Sequence, residues 1–237
     1  MNVTEIANLY TRQQSLSTNS NVQTDKVQKA FATAASRLEK QQQTTSVQLS
    51  SYGKVKAAFA SVDDAGKSLA ATKSTTAAAD LKKGIESFVK AYNDAQSSAV
   101  STDGGARSAG NDLRRTASND SNRSDLRSLG ISQNVDGSLA IDAKKLDAAL
   151  QSSPDNARAA ATRVSGQLQQ VATRALSSTG GIGATMNTLT SRADSLKAAQ
   201  TSQANLTSAY QQRVTDQANR WSSTLAGISS YQNIFTM

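Results

Sequence analysis

With neither histidine nor cysteine in its 237 residues, this chain has only 18 Asp and Glu side chains, with hydroxyls and amines, to act on a substrate. Cys–His and Ser–His–Asp catalysis both need an imidazole to carry the proton, so both are excluded. Zinc, iron–sulfur and haem sites lose their usual ligands, and no disulfide can form. Carboxylate acid–base chemistry needs a pair whose surroundings push the two pKa values apart. The acidic residues here are scattered along amphipathic stretches, and no apolar pocket singles out a pair. Gly180-Gly181-Ile182-Gly183 is glycine-rich, but a phosphate loop requires a preceding strand and a Gly-Lys-Ser/Thr ending. Both are missing, and the cluster reads as a turn between helices. No catalytic, cofactor-binding or metal residue is assigned, and the chain is not expected to be an enzyme.

Binding chemistry is narrowed in the same way. The formal net charge of +8 raises nucleic acid as a partner, but the pattern opposes it. Lys26, Lys29, Lys40, Lys54, Lys56, Lys82 and Lys83 are interleaved with Asp25, Glu39, Asp63, Asp64 and Glu86. There is no run of five basic residues and no platform of aromatic side chains. No apolar stretch approaches the ~20 residues that span a bilayer, so membrane insertion is not expected. Met1–Tyr10 lacks the basic and apolar regions of a secretory signal. That predicts a cytosolic protein, or one exported by a route that reads no cleavable signal.

What remains is architecture. Hydrophobic residues make up 37% of the chain, much of it alanine, and aromatics 4%, so burial must come from long helix–helix contacts. The single proline leaves helices without their strongest breaker. Leu189, Ala193, Leu196, Gln200, Gln203, Thr207, Tyr210, Val214, Gln217, Trp221, Thr224, Ile228, Tyr231 and Phe235 recur at alternating three- and four-residue spacing. A 3.5-residue period sustained this long predicts a coiled-coil helix. A second run begins near Asp25, placed at the helix start: Phe31, Leu38, Thr45, Tyr52 and Phe59, with Val27, Ala34, Gln41, Gln48, Val55, Val62 and Leu69. Polar seam residues in both runs are read as register control.

The expected coiled-coil or oligomer interface is therefore Phe31, Leu38, Tyr52, Phe59, Val62 and Leu69 on the first helix. On the last it is Leu196, Tyr210, Val214, Trp221, Ile228 and Phe235. Trp221, Ile228 and Phe235 are expected against a helix of a neighbouring subunit, or against the chain's own N-terminal helix.

The fold class is mainly α: long N- and C-terminal coiled-coil helices around a small α+β leg domain with one β-hairpin. Residues 1–24 form a flexible segment with a short amphipathic patch (Val3, Ile6, Leu9, Tyr10) and a Ser/Thr/Asn-rich break from Ser15 to Thr24. Residues 25–73 are the N-terminal coiled-coil helix, 79–176 the leg domain and 184–237 the C-terminal helix. Within the leg, Leu81, Ile85, Phe88, Tyr92 and Ala95 mark an amphipathic helix. Thr102–Gly110 reads as a loop and Asn119–Ser124 as a mobile polar stretch. Asp136-Gly137 between short apolar runs predicts a hairpin. Asp142 and Ser153 are helix caps, with Pro154 at a first helical position.

Four segments together resemble a known family. Ser36–Phe59 is similar to the N-terminal coiled-coil helix of the bacterial flagellar filament-capping proteins, hook-associated protein 2. Phe88-Val89-Lys90-Ala91-Tyr92-Asn93 resembles that family's F-V-x-x-Y-N helix. Leu129-Gly130-Ile131, followed by Asp136-Gly137-Ser138-Leu139-Ala140-Ile141-Asp142 and on to Leu146 and Leu150, resembles its L-G-I … D-G-x-L segment, and the last helix completes the order. The resemblance implies a β-rich head inserted before the F-V-x-x-Y-N helix, yet this chain crosses that point with Thr72–Asp80 alone. It looks like the leg of a cap protein without its head, shortened naturally or by engineering, so no plate is expected.

The resemblance further implies an exported structural protein at the filament tip that promotes flagellin assembly as a ring-like homo-oligomer. Flagellin and hook–filament junction proteins would be its partners, with an export chaperone on the C-terminal helix. It would need no cofactor and would reach the extracellular flagellum by the flagellar type III route. Two other readings stay open: another axial protein of flagellin-like or junction type, and a basic coiled-coil scaffold.

Overall fold

The structure is a computed structural model that describes the backbone of residues 3–235 and the side chains of residues 23–224, 226 and 227. It is 84% helical with one two-stranded hairpin, as the periodicity predicts. In chain order the elements are α1 (Val3–Ala70), α2 (Ala78–Val100), α3 (Gly105–Ala117), α4 (Asp120–Ser128), β1 (Ile131–Gln133), β2 (Leu139–Ile141), α5 (Ala143–Ser152), α6 (Pro154–Leu176) and α7 (Gly181–Phe235).

Local chemistry accounts for most of the boundaries. After α1 the chain turns on two threonines: Thr72 Oγ1 donates to the Leu69 carbonyl (2.7 Å), and Thr76 Oγ1 accepts from Lys73 N–H (3.0 Å). Asn119 caps α4 by accepting from Asn122 N–H (2.8 Å), and Asp142 caps α5 by accepting from Lys145 N–H (3.1 Å). The Asp142 carboxyl is held below its ordinary pKa chiefly by that backbone bond. Pro154 opens α6, where its missing N–H costs nothing. Ser153 contributes there only its carbonyl, which accepts from Ala157 N–H (3.0 Å); its side chain makes no cap bond.

Several expectations are corrected. Helix runs unbroken through Ser15–Thr24, so Asp25 lies inside α1 and not at a helix start. Ser, Thr and Asn each disfavour helix only by fractions of a kcal/mol, which does not break a long helix. Gly105–Gly110 is helical, and Asn119–Ser124 is a cap and the first turns of α4. The last helix begins at Gly181, three residues before 184. The amphipathic patch Val3, Ile6, Leu9 and Tyr10 lies outside the described side chains.

The chain forms two compact units, residues 45–192 and residues 1–44 with 193–237. In the first, α2, α3, α5 and α6 pack on one another, α4 lies on α6, and the hairpin rests on α2 and α4. Phe59, Val62, Leu69, Leu81, Ile85, Tyr92, Leu113, Leu129, Leu146, Leu168 and Ile182 are its fully or almost fully buried centre. Two glycines permit the closest helix approach. A Cβ on Gly105 would sit 2.1 Å from the Gly181 carbonyl oxygen, so the starts of α3 and α7 touch backbone to backbone. Polar ties add to the packing. Asp63 on α1 accepts from Gln169 (3.0 Å) and Thr173 (2.8 Å) on α6 and from Lys67. Burial opposes its charge, but these bonds outweigh it and lower its pKa.

Candidate assembly interface

The hairpin of the larger unit is too short to hold itself together, because two three-residue strands do not form a stable sheet alone. Its register pairs Ile131 with Ile141 and Gln133 with Leu139, and its turn is closed by Asn134 N–H to the Ser138 carbonyl (2.8 Å). Gly137 takes φ +90°, and Asp136 accepts from both Ser138 N–H (2.9 Å) and Ser138 Oγ (2.7 Å). Those bonds hold the Asp136 carboxyl below its usual pKa.

Helix α2 supplies what the hairpin lacks. Asn93 donates through Nδ2 to the Leu139 carbonyl (2.9 Å) and accepts through Oδ1 from Leu139 N–H (2.7 Å). One amide thus fills the outer edge of β2, where a further strand would have bonded. The residue before Asn93, Tyr92, is fully buried and donates its hydroxyl to the Gly137 carbonyl (3.0 Å). Burial pushes the Tyr92 phenol up to about 12, opposed by the Gln133 amide and nearby Arg114. Gly130, at φ +71°, ends α4 and receives Asp142 N–H on its carbonyl (2.9 Å). Phe88 and Val89 face the core. Each non-alanine residue shared by the F-V-x-x-Y-N and L-G-I … D-G-x-L segments therefore has a packing or bonding task, and Tyr92, Asn93, Gly137 and Leu139 join the two segments directly.

The smaller unit is an antiparallel pair formed by α1 and α7. Phe31 meets Tyr210 edge to face, with ring centroids 5.6 Å apart at 68°, and Gln200 Nε2 donates to Gln42 Oε1 (2.6 Å). Numbers rise along one helix as they fall along the other. On the α7 side Leu196 is buried, and Gln200, Gln203, Thr207, Tyr210 and Val214 are half-buried. On α1 the half-buried stripe is Thr24, Val27, Phe31, Ala34, Leu38 and Gln42.

Of the twelve expected interface residues, Tyr52, Phe59, Val62 and Leu69 are buried in the larger unit's core or at its edge. Tyr52 there donates to the Asp103 carbonyl (2.6 Å). Phe31, Leu38, Leu196, Tyr210 and Val214 lie on the antiparallel stripes, Phe31 touching Tyr210. Trp221 is 53% exposed. The Ile228 and Phe235 side chains lie outside the described residues. The polar partners of the first seam shift by one position: Gln42 and Leu49 turn inward where Gln41 and Gln48 are expected, and Gln41 and Gln48 are exposed. Leu49 is the more apolar of its pair, a signal the strict seven-residue count overrides. Asn93, with both ends of its amide bonded to one residue, is the functional residue that periodicity alone misses.

Residues 94–232 match the family model described as flagellar hook-associated protein 2 C-terminus, more than half of the chain. This chain belongs to the hook-associated protein 2 family. Members of this family are flagellar filament-cap proteins: structural, oligomeric, in contact with the filament and located at its tip outside the cell. The match covers the hairpin with its Asn93-bound strand and nearly all of α7, whereas Phe88–Asn93 falls just before it. No curated protein and no solved structure matches the chain. Among the described residues, no helix is long and apolar enough to cross a membrane.

Proposed function

We propose that this protein is a headless cap or cap-like factor that assembles as a homo-oligomer at the filament tip and promotes flagellin addition there. Support comes from the family match over residues 94–232, which includes a hairpin anchored on α2 by Asn93. An anchored hairpin and a four-helix surround make a rigid leg. The residue 71–77 link, with two internal threonine bonds, leaves no plate above it. The terminal helices, with a seam of Gln200, Gln203 and Thr207 among apolar residues, are weakly paired and therefore suited to unfolded export and re-pairing on arrival. Polar seam positions lower stability while specifying partners. Flagellin, the hook–filament junction proteins and an export chaperone on α7 are the partners this reading names, and the flagellar type III route is its way out of the cell.

Complementation tests it. Cells deleted for the gene are expected to secrete flagellin that does not polymerise, and supplying this chain is expected to restore filaments and swimming. Filaments that grow normally without it would remove the cap reading. For the scaffold alternative, binding to anionic polymer should fall steeply with salt, whereas seam-driven assembly should persist.

A further inference from the structure

We propose that the bond between Asp103 and Gly104 is a self-modification site, where the aspartyl residue converts to isoaspartate through a cyclic imide and loosens the joint between α2 and α3. The chain contains two Asp-Gly pairs, Asp103 with Gly104 and Asp136 with Gly137. Such pairs are the aspartyl sites most open to this reaction, because glycine has no Cβ to shield its amide nitrogen. Both glycines hold positive φ, +67° and +90°, a region that other residues enter only with strain. The fold itself therefore keeps both pairs in place.

The structure separates the two. The Asp103 side chain is 93% exposed and, among the described residues, bonds only Arg107 (2.8 Å), itself more than half exposed. A surface pair of this kind holds weakly. Gly104 N–H has no hydrogen-bond partner among the described residues, since α3 begins one residue later. At the second pair, Gly137 N–H donates to the Asn134 carbonyl (3.0 Å). The Asp136 carboxylate is turned onto Ser138, taking its N–H (2.9 Å) and its hydroxyl (2.7 Å). Those hydrogen bonds must open before nitrogen and carboxyl carbon can meet there. At Asp103 only the exposed ion pair must release.

The reaction needs nothing but water. The Gly104 nitrogen attacks Asp103 Cγ, a C–N bond forms, and the carboxyl hydroxyl leaves as water with the amide proton. Water then opens the imide at either of its carbonyls. Opening at Cγ restores aspartate. Opening at the main-chain carbonyl leaves the chain running through Cβ and Cγ, with a free carboxylate where the Asp103 carbonyl stood. That carbonyl is the acceptor for the hydroxyl of buried Tyr52 on α1 (2.6 Å). Gly105, next along, touches Gly181 of α7 backbone to backbone. An extra backbone carbon at this point therefore acts on the packing of α1, α3 and α7 together.

Ageing the full chain in warm neutral buffer, followed by digestion and electron-transfer fragmentation of the peptides, reads each site separately. Isoaspartate is expected at residue 103 at least about tenfold faster than at 136, where the extra hydrogen bonds must open first. In urea the two sites should convert at similar rates. Asp103→Glu keeps a carboxylate beside Arg107 but would have to close a larger, slower ring, so no isomer should form there. Hydrogen exchange at Ser108, whose N–H bonds the Gly104 carbonyl (3.2 Å), should quicken in the aged chain and not in aged Asp103→Glu. Equal conversion at both sites in the folded chain, or conversion at 103 in urea alone, would overturn the proposal. An aged chain rich in isoaspartate at 103 with Ser108 exchange unchanged would overturn the loosening of the joint. None of these outcomes depends on the cap reading, which the complementation test addresses separately.

Discussion

Replacing Asn93 by alanine should loosen the hairpin from α2 by an amount that can be worked from its bonds. Asn93 makes two neutral hydrogen bonds, both to Leu139, at 2.9 and 2.7 Å. Each such bond contributes about 1 kcal/mol net, and a desolvated backbone group left unpaired costs about 1–3 kcal/mol. Leu139 is buried, so its orphaned N–H and C=O regain water poorly. The two orphaned groups, each counted once at about 1–3 kcal/mol with the lost bond included, make the cost about 2–6 kcal/mol. Asn93→Asp keeps the acceptor and loses the donor, leaving the Leu139 carbonyl facing a carboxylate. Its cost should be comparable at neutral pH and smaller at acid pH, where the protonated acid donates. Urea unfolding followed by circular dichroism, with hydrogen exchange at Leu139 read in parallel, measures both. A loss below ~0.5 kcal/mol in Asn93→Ala, with Leu139 N–H still protected, would refute the reasoning that this amide closes the edge of β2.

Three more outcomes follow from the structure. The Tyr92 phenol is raised from 10.0 to about 12 in the folded chain by burial, so the folded state holds its proton where the unfolded state releases it. Stability from this group is intact below about pH 10 and falls between about pH 10 and 12, and Tyr92→Phe should flatten that part of the pH–stability curve. Gly130→Ala places a side chain at φ +71° and a Cβ 2.6 Å from Lys145 Cβ, so it should cost about 1–3 kcal/mol by denaturation. Gln42→Leu or Gln200→Leu alone leaves one amide unpaired and should destabilise the smaller unit by about 1–3 kcal/mol, while the double replacement should be neutral or stabilising; a double-mutant cycle reads the coupling.

The sequence speaks most clearly where one period runs without interruption. Leu189 to Val214 occupies the covered stripe of α7 without a missed position, because nothing there competes with heptad spacing. The first seam is legible at Phe31, Leu38, Thr45, Tyr52 and Phe59 and drifts only where glutamines make the pattern ambiguous. Glycine misleads for a physical reason. Gly105 and Gly110 look like turn residues, yet they serve close packing: a Cβ at Gly110 would lie 2.6 Å from Ala99 Cβ. At Gly137, where φ is positive, the turn reading is right. The polar run at Asn119 hides a cap, since asparagine signals both a loop and a helix start. Asn93 is quoted within a motif, but its bonds reach a strand 46 residues on, and no local pattern encodes that distance.

The claim that this protein works at the filament tip is tested most directly by locating it. Gold-labelled antibody against an epitope in the exposed turn at Val135 should mark the distal end of each restored filament and nowhere else. Label spread along the shaft, or confined to the hook junction, would contradict the account and point to another kind of axial subunit.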